Sequence, residues 1–328
     1  MKKSFLLSSL FALAIFVVPG FAQQPAPQRV APLVRIPEGV QAHRDLAYVA
    51  DGDESHKLDL YMPEKVDGLL PLIIWVHGGG WQNGNKAGCP PLRDGYVGLG
   101  YAVVSLNYRL SNQATFPAQI EDCKAAIRWL RAHAREYNLD PNRFGAWGSS
   151  AGGHLVALLG TSGEAKAFDV GADLDQSSRV QAVCDYYGPT DFTATPTTPA
   201  ANSAESKLLG GPIMEHQDKA KRANPITFVS RENPPFLILH GDKDGTVPVN
   251  QSQLLFDALK QAGVSVHFHT IKGAGHGRGF GGPEIGPMVA AFFDKYLKSK
   301  SPPSNLGPAT TSESDASAEK PSPPRKNS

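Results

Sequence analysis

The chain has 328 residues, 41% of them hydrophobic and 19% charged, enough to bury the core of one large α/β domain or two small ones. Lys and Arg number 32 against 31 Asp and Glu, a formal charge of +1, so no global field draws nucleic acid or an anionic membrane surface. That balance excludes both a polyanion-binding protein and a chain disordered along most of its length.

Taken from its start, the chain opens with the cationic Met1-Lys2-Lys3, an apolar stretch from Phe5 to Val18, and Pro19-Gly20-Phe21-Ala22 with small residues where a signal peptidase reads. The pattern predicts a signal peptide over residues 1–22, cleaved after Ala22. The apolar run falls short of the roughly 18 residues that a membrane span needs. No Cys follows it closely, so no stable membrane anchor is expected and the product is secreted or periplasmic.

Short apolar runs then alternate with amphipathic stretches. Val40 to Val49 and Leu58 to Met62 alternate cleanly and predict antiparallel strands at one edge, with one face wet. Leu72–Val76, Tyr101–Leu106, Arg143–Trp147, Val180–Cys184, Phe236–Leu239 and Val266–His269 read as strands bounded by Gly and Pro. Pro117 to Tyr137 places Ile120, Cys123, Ile127 and Leu130 at helical spacing; Gln251 to Gln261 and Met288 to Leu297 repeat that period, and Gly263 is a stop for the first of these two. The fold class is therefore α/β: a mostly parallel sheet of about eight strands covered by helices on both faces.

One domain is expected over residues 23–299. Residues 191–222 break the alternation with Thr and Pro repeats and no strand-like run, too long for an ordinary connection, and read as a small cap insertion. Residues 300–328, rich in Pro, Ser, Thr and Lys and nearly devoid of large apolar side chains, cannot offset the entropy of ordering and predict a disordered tail. Cys89, Cys123 and Cys184 permit at most one disulfide in an oxidising compartment, and their spacing matches no metal site.

Chemistry concentrates in three places. Gly148-Ser149-Ser150-Ala151-Gly152 lies between a strand and a helical run, where small residues two positions either side of a central Ser allow a tight strand-turn-helix elbow. The register selects Ser150 as nucleophile and leaves Ser149 to support the turn. His77-Gly78-Gly79-Gly80-Trp81 follows another strand, and its unobstructed amides suit the developing oxyanion of a tetrahedral intermediate. The N–H groups of Gly79, Gly80 and Ala151 are the expected donors, while His77 braces the loop. A phosphate loop is excluded by the spacing and by the lack of a following Lys-Ser/Thr pair.

A serine hydroxyl needs a base, and the base an orienting acid. His240-Gly241-Asp242-Lys243-Asp244 follows the Phe236–Leu239 strand and offers two carboxylates at the carboxyl edge of the sheet. Gly273-Ala274-Gly275-His276-Gly277 then presents an imidazole on a glycine-rich loop. His154 and His240 sit inside element patterns and read as packed or bracing residues.

These motifs, in the order Ser, Asp, His, resemble the α/β-hydrolase superfamily and its esterase/lipase group. The likeness runs from about Leu46 to Leu297. It implies Asp244 as the acid, three residues before Val247 in the stretch ending Val247-Pro248, with Asp242 structural, and His276 as the base. Tyr186-Tyr187-Gly188-Pro189-Thr190-Asp191, Leu208-Leu209-Gly210-Gly211 and Asn224-Pro225-Ile226 are similar to secreted BD-FAE-like esterases acting on acetyl-xylan or feruloyl esters. A serine ester hydrolase is thus expected, acting through an acyl-enzyme on small-molecule or polysaccharide-linked esters and needing no cofactor or metal. The rivals are a prolyl-oligopeptidase-like serine peptidase, for which no preceding propeller fits before Val40, and an inactive hydrolase fold used for adhesion.

Overall fold

A computed structural model describes residues 35–194 and 202–298. The expected signal peptide, the expected tail and residues 195–201 of the insertion lie outside them.

Eight strands form one sheet: β1 (Val40–Ala47), β2 (Lys57–Pro63), β3 (Leu70–Val76), β4 (Ala102–Leu106), β5 (Leu139–Ser149), β6 (Ala182–Tyr186), β7 (Phe236–Gly241) and β8 (Val266–Ile271). Their order is β1-β2-β4-β3-β5-β6-β7-β8; β2 runs antiparallel to both its neighbours and the remaining pairs are parallel. Because successive side chains on a strand point to opposite faces, each central strand feeds two cores. Leu72, Ile74 and Val76 of β3 enter the core shared with Ile120, Ile127 and Leu155, whereas Ile73 and Trp75 enter the one shared with Val289 and Phe293. Phe236 and Ile238 of β7 divide from Leu237 and Leu239 in the same way.

Seven α-helices accompany the sheet among the described residues: α1 (Pro90–Arg93), α2 (Ala118–Ala132), α3 (Ala151–Thr161), α4 (Ala204–Leu209), α5 (Gln217–Ala223), α6 (Asn250–Gln261) and α7 (Ile285–Phe293). α3 is buried on every side, as expected of a helix whose sequence is apolar all round. Gly263, just past α6, takes the left-handed conformation (φ +80°) that ends helices.

Two expectations need correction. β1 and β2 pair antiparallel at one edge, as expected, but β2 has no wet face: Leu58, Leu60 and Tyr61 are fully buried. Its alternation arises because the polar Asp59, also buried, is matched there by Lys86 Nζ at 2.6 Å. α2 ends at Ala132, short of Tyr137, because the chain from His133 winds through turns to Asn138, which adopts φ 51°.

All three cysteines are free and buried: Cys89 before α1, Cys123 on α2 and Cys184 on β6.

The polar face of α2 is also unusual. Lys124 and Arg128 are fully buried, one turn apart, and both reach Asp169, Lys124 at 3.4 Å and Arg128 at 3.1 Å. Lys124 Nζ also donates to the carbonyls of Ser162 and Ala165, and the Arg128 guanidinium to those of Val170 and Ala172. Burial pulls the pKa of both cations down, Asp169 opposing it. The loop after α3 is therefore held to α2 by charge-assisted bonds to its backbone.

Removing one member of a buried ionic cluster leaves its partners uncompensated, typically at about 3–5 kcal/mol. Arg128→Leu should accordingly lower the unfolding free energy by about 3 kcal/mol in urea titration. A midpoint matching the wild type would show that this cluster does not hold the loop.

Candidate active site

The site begins with a conflict between a strand and a helix. β5 ends at Ser149 and α3 starts at Ala151, so the reversal falls on one residue, and Ser150 takes φ 55°, ψ −120°. Non-glycine residues rarely hold positive φ unless the surroundings enforce it. Here a Cβ at Gly152 would strike the Val76 carbonyl at the end of β3, so the elbow can form only with glycine there. The Ser150 N–H donates to Tyr186 O at 2.8 Å, fixing the turn to β6.

The loop after β3 folds against this elbow. A Cβ at Gly78 would lie 3.3 Å from Ser150 Cβ. Gly79 has φ 118° and packs on the backbone of Asn83, whose N–H donates to the Gly79 carbonyl at 3.1 Å. Among the described residues neither Gly79 nor Gly80 gives its N–H to a protein acceptor, and Ala151 heads α3, where a first-turn N–H has no intrahelical partner. His77 braces the loop: its Nδ1–H donates to Gly78 O at 2.8 Å and its ring stacks on Tyr108, whose hydroxyl donates to His77 O at 3.0 Å. Burial lowers the His77 pKa to about 4.

The acid and base arrive from the carboxyl ends of β7 and β8. His276 Nε2 lies 2.9 Å from Ser150 Oγ, and His276 Nδ1 lies 2.7 Å from Asp244 Oδ2. The carbonyl edge of the sheet thus brings together three side chains expected from separate motifs. Asp244 is fully buried, and its other oxygen accepts the N–H groups of Thr246 (2.8 Å) and Val247 (2.9 Å). Asp242 instead accepts the N–H of Gly273 at 2.6 Å, tying the β7 loop to the loop that carries His276. His240 packs beneath: Nε2–H donates to Val247 O at 2.9 Å, Nδ1 accepts from Ser252 Oγ at 2.7 Å, and burial lowers its pKa. With the imidazole held by a buried carboxylate on one nitrogen and facing a hydroxyl on the other, the arrangement can move a proton from Ser150 Oγ to His276.

Three further neighbours stand beside these side chains. Tyr187, itself at φ 46°, sets its ring edge-on to His276 at 4.7 Å between centroids. The Ser149 hydroxyl approaches the Tyr187 phenol, consistent with a supporting role. Asp185 is fully buried under the elbow, where Oδ1 accepts the Gly188 N–H at 2.9 Å and Oδ2 meets no partner; desolvation raises its pKa to about 7. A strand pattern gives no hint of that carboxyl, since Val183-Cys184-Asp185-Tyr186 reads only as a buried run with one polar interruption. Beside the elbow lies a cavity of about 650 Å³ whose walls include Trp147, Ser149, Tyr186, Tyr187, Gly277 and Phe280.

The described part of the 191–222 insertion is helical, comprising α4, a 3₁₀ turn at Ile213–Glu215 and α5. Lys207 of α4 donates to Gln82 Oε1 at 2.9 Å, beside the glycine loop. No cluster of His, Cys, Asp and Glu among the described residues could hold a metal ion, and no described helix is long and apolar enough to cross a membrane.

Comparison with known proteins agrees with the geometry. A family model described as BD-FAE matches residues 58–259, more than half the chain. The probable carboxylic ester hydrolase LipM of Mycobacterium tuberculosis is 34% identical over 74% of this chain, which spans only 56% of that protein. A truncated carbohydrate esterase from gut microbiota superposes with a TM-score of 0.75 at 33% identity, covering 79% of this chain and 97% of its own. A bifunctional GH43-CE protein of Bacteroides eggerthii gives the same TM-score at 34% identity, over 78% of this chain and 35% of its own.

The buried Asp185 gives a signed pH test. Its folded pKa is about 7 against 3.8 for the free group, so between those values the folded chain holds a proton that the unfolded chain has lost. Stability from this group is full below about pH 4 and declines as pH rises to about 7. Asp185→Asn, which keeps the acceptor for Gly188, should therefore gain stability relative to wild type between pH 4.5 and pH 8, by at most about 3 kcal/mol at 1.36 kcal/mol per unit. Urea midpoints at both pH values measure it; an unchanged difference would refute the ionisation.

Proposed function

The chain belongs to the BD-FAE family of α/β-hydrolase esterases, and from that premise we propose that it is an exported serine carboxylic-ester hydrolase working through Ser150, His276 and Asp244. The observation that carries the proposal is the continuous chain from Ser150 Oγ to His276 Nε2 at 2.9 Å and from His276 Nδ1 to Asp244 at 2.7 Å. Asp244 holds the imidazole as the tautomer that leaves Nε2 free to take the serine proton. The oxygen attacks the ester carbonyl, and the N–H groups of Gly79, Gly80 and Ala151 receive the charge that builds on the carbonyl oxygen. His276 returns its proton to the departing alcohol; water then repeats the sequence on the acyl-enzyme and releases the acid. Each step uses side chains and amides of this chain alone.

Acetyl or feruloyl esters of plant polysaccharides, or other short-chain esters, are the substrates we favour. Support comes from the carbohydrate esterase and the bifunctional GH43-CE protein among the similar structures. The cavity of about 650 Å³ has Ser149, Tyr187 and Gly277 in its walls but neither Ser150 nor His276, so it adjoins the three side chains rather than containing them. The insertion at 191–222 would cap the site, and a signal peptide over 1–22 would export the chain. The prolyl-oligopeptidase alternative is not favoured, because the similar proteins named above are ester hydrolases and carbohydrate esterases.

Ser150→Ala should abolish hydrolysis of p-nitrophenyl acetate and labelling by a fluorophosphonate while leaving thermal unfolding nearly unchanged; retained turnover would remove the nucleophile assignment. Asp244→Asn should cost roughly 10⁴-fold in kcat, the order seen when the orienting acid loses its charge. Asp242→Asn, whose carboxylate meets a backbone N–H rather than the imidazole, should cost far less, and the reverse ranking would exchange their roles.

A further inference from the structure

The oxyanion donors proposed above come from two segments that sequence does not join: the glycine loop after β3 and the first turn of α3. Their N–H groups must converge on one oxygen, and a hydrogen bond aimed at a transition state loses most of its value when its donor drifts. Something must therefore fix the loop to the helix.

Trp81 closes the glycine loop. It adopts φ 56°, and its side chain is buried. The indole Nε1–H donates to Nδ1 of His154 at 3.3 Å. On the opposite side of that imidazole, Nε2 lies 2.7 Å from the carbonyl of Ala223. An indole N–H can only donate and a carbonyl can only accept, so the tautomer is set by its partners: Nε2 carries the proton and Nδ1 offers its lone pair. The His154 backbone N–H donates to Ser150 O at 2.9 Å, which places this residue one helical turn from the nucleophile. His154 is fully buried, and its ring also meets those of Trp81 and Phe192, at 5.2 and 5.1 Å between centroids. Burial lowers its pKa to about 4, so the neutral ring that both bonds require persists through the neutral range.

We propose that His154 is the positioning residue of the oxyanion hole, joining the glycine loop through Trp81 to the nucleophile helix and to the Ala223 carbonyl that closes α5. The inference rests on the reading of Gly79, Gly80 and Ala151 as the oxyanion donors. It assigns His154 a part beyond packing: the ring spans the two halves of the hole and also anchors them to the insertion. α4 supports the same loop from its other side, where a Cβ on Gly80 would lie 3.4 Å from Ala204 Cβ and Lys207 bonds Gln82.

Amide substitutions separate the two bonds. Asn reaches the place of Nδ1 and can still accept from Trp81, whereas Gln reaches the place of Nε2 and keeps only the bond to Ala223. His154→Gln and Trp81→Phe should each lower kcat for p-nitrophenyl acetate roughly 10- to 100-fold, with KM within about threefold, as for partial loss of an oxyanion donor. The double variant should be no worse than the poorer single one, because both remove the same bond. His154→Asn should recover most of kcat. Affinity for a trifluoromethyl ketone, which reproduces the tetrahedral oxyanion, should fall in step with kcat across the series.

Losses carried by KM, multiplicative losses in the double variant, or equal losses in the Asn and Gln variants would overturn the assignment. Trp81→Phe keeps an aromatic ring while removing the indole N–H, and carries the test should His154→Gln fail to fold. Wild-type turnover and fluorophosphonate labelling of Ser150 keep the two ideas apart. If the wild type lacks both, the esterase reading fails; if it has both and the variants match it, only the His154 assignment fails.

Discussion

Close approach at the elbow governs the rest of the site. β5 delivers the chain to the carboxyl edge of the sheet and α3 must leave at once, so Ser150 is forced to φ 55°. The space that permits this is the missing side chain of Gly152 against the Val76 carbonyl. Val76 ends the same strand that launches the glycine loop, so one contact sets both Ser150 and the amides beside it. The first helical turn then contributes Ala151, and the third residue after it contributes the ring that reaches Trp81. Nothing in this arrangement tolerates independent adjustment of strand, turn and loop.

Around the elbow the protein manages buried ionisable groups in two opposite ways. His77, His154 and His240 are neutral rings whose nitrogens are committed to backbone carbonyls, a hydroxyl or an indole, and burial lowers the pKa of each. They act as rigid, directional spacers in a low-dielectric setting, where a satisfied hydrogen bond is strong and an unsatisfied one costly. Asp185 carries the opposite bias: burial favours its protonated form, with one oxygen bonded and the other unpartnered. The His groups weaken the fold as pH falls from about 6.5 toward 4, and Asp185 weakens it as pH rises from 3.8 toward about 7. Because the imidazoles outnumber the one carboxyl, their summed penalty falls as pH rises to about 6.5 and is nearly level above it.

Local chemistry made much of this readable before any coordinates. Apolar runs located six strands, because a central parallel strand buries both faces and has no polar alternative, and alternation located the two antiparallel ones. The elbow at Ser150 is legible because it needs glycines at fixed offsets, whereas the carboxyl end of β7 offers both Asp242 and Asp244, and only the resemblance to the esterase/lipase group points to Asp244 and His276. What remained hidden depends on pairing between distant segments. Leu58 to Met62 reads as a strand with one wet face because Asp59 breaks its hydrophobicity, yet Lys86, 27 residues away, satisfies that carboxylate inside the sheet. α2 ends at a cap that periodicity does not register, where the His133 Nδ1–H donates to Trp129 O at 2.9 Å. His154 could be placed on a helix, but its partners, Trp81 and Ala223, lie 73 and 69 residues off in sequence.

The three cysteines have a consequence for how the chain can mature. Cys123 packs in the core on one face of the sheet, Cys89 and Cys184 in the core on the other, and each keeps its thiol. Burial pushes the pKa of all three upward, which suppresses the thiolate that oxidants and mixed disulfides require. Assembly consequently waits on no oxidase or isomerase, and a reductant finds no bond to cleave. Both cores close around sulfur atoms that act as small apolar fillers rather than as cross-links.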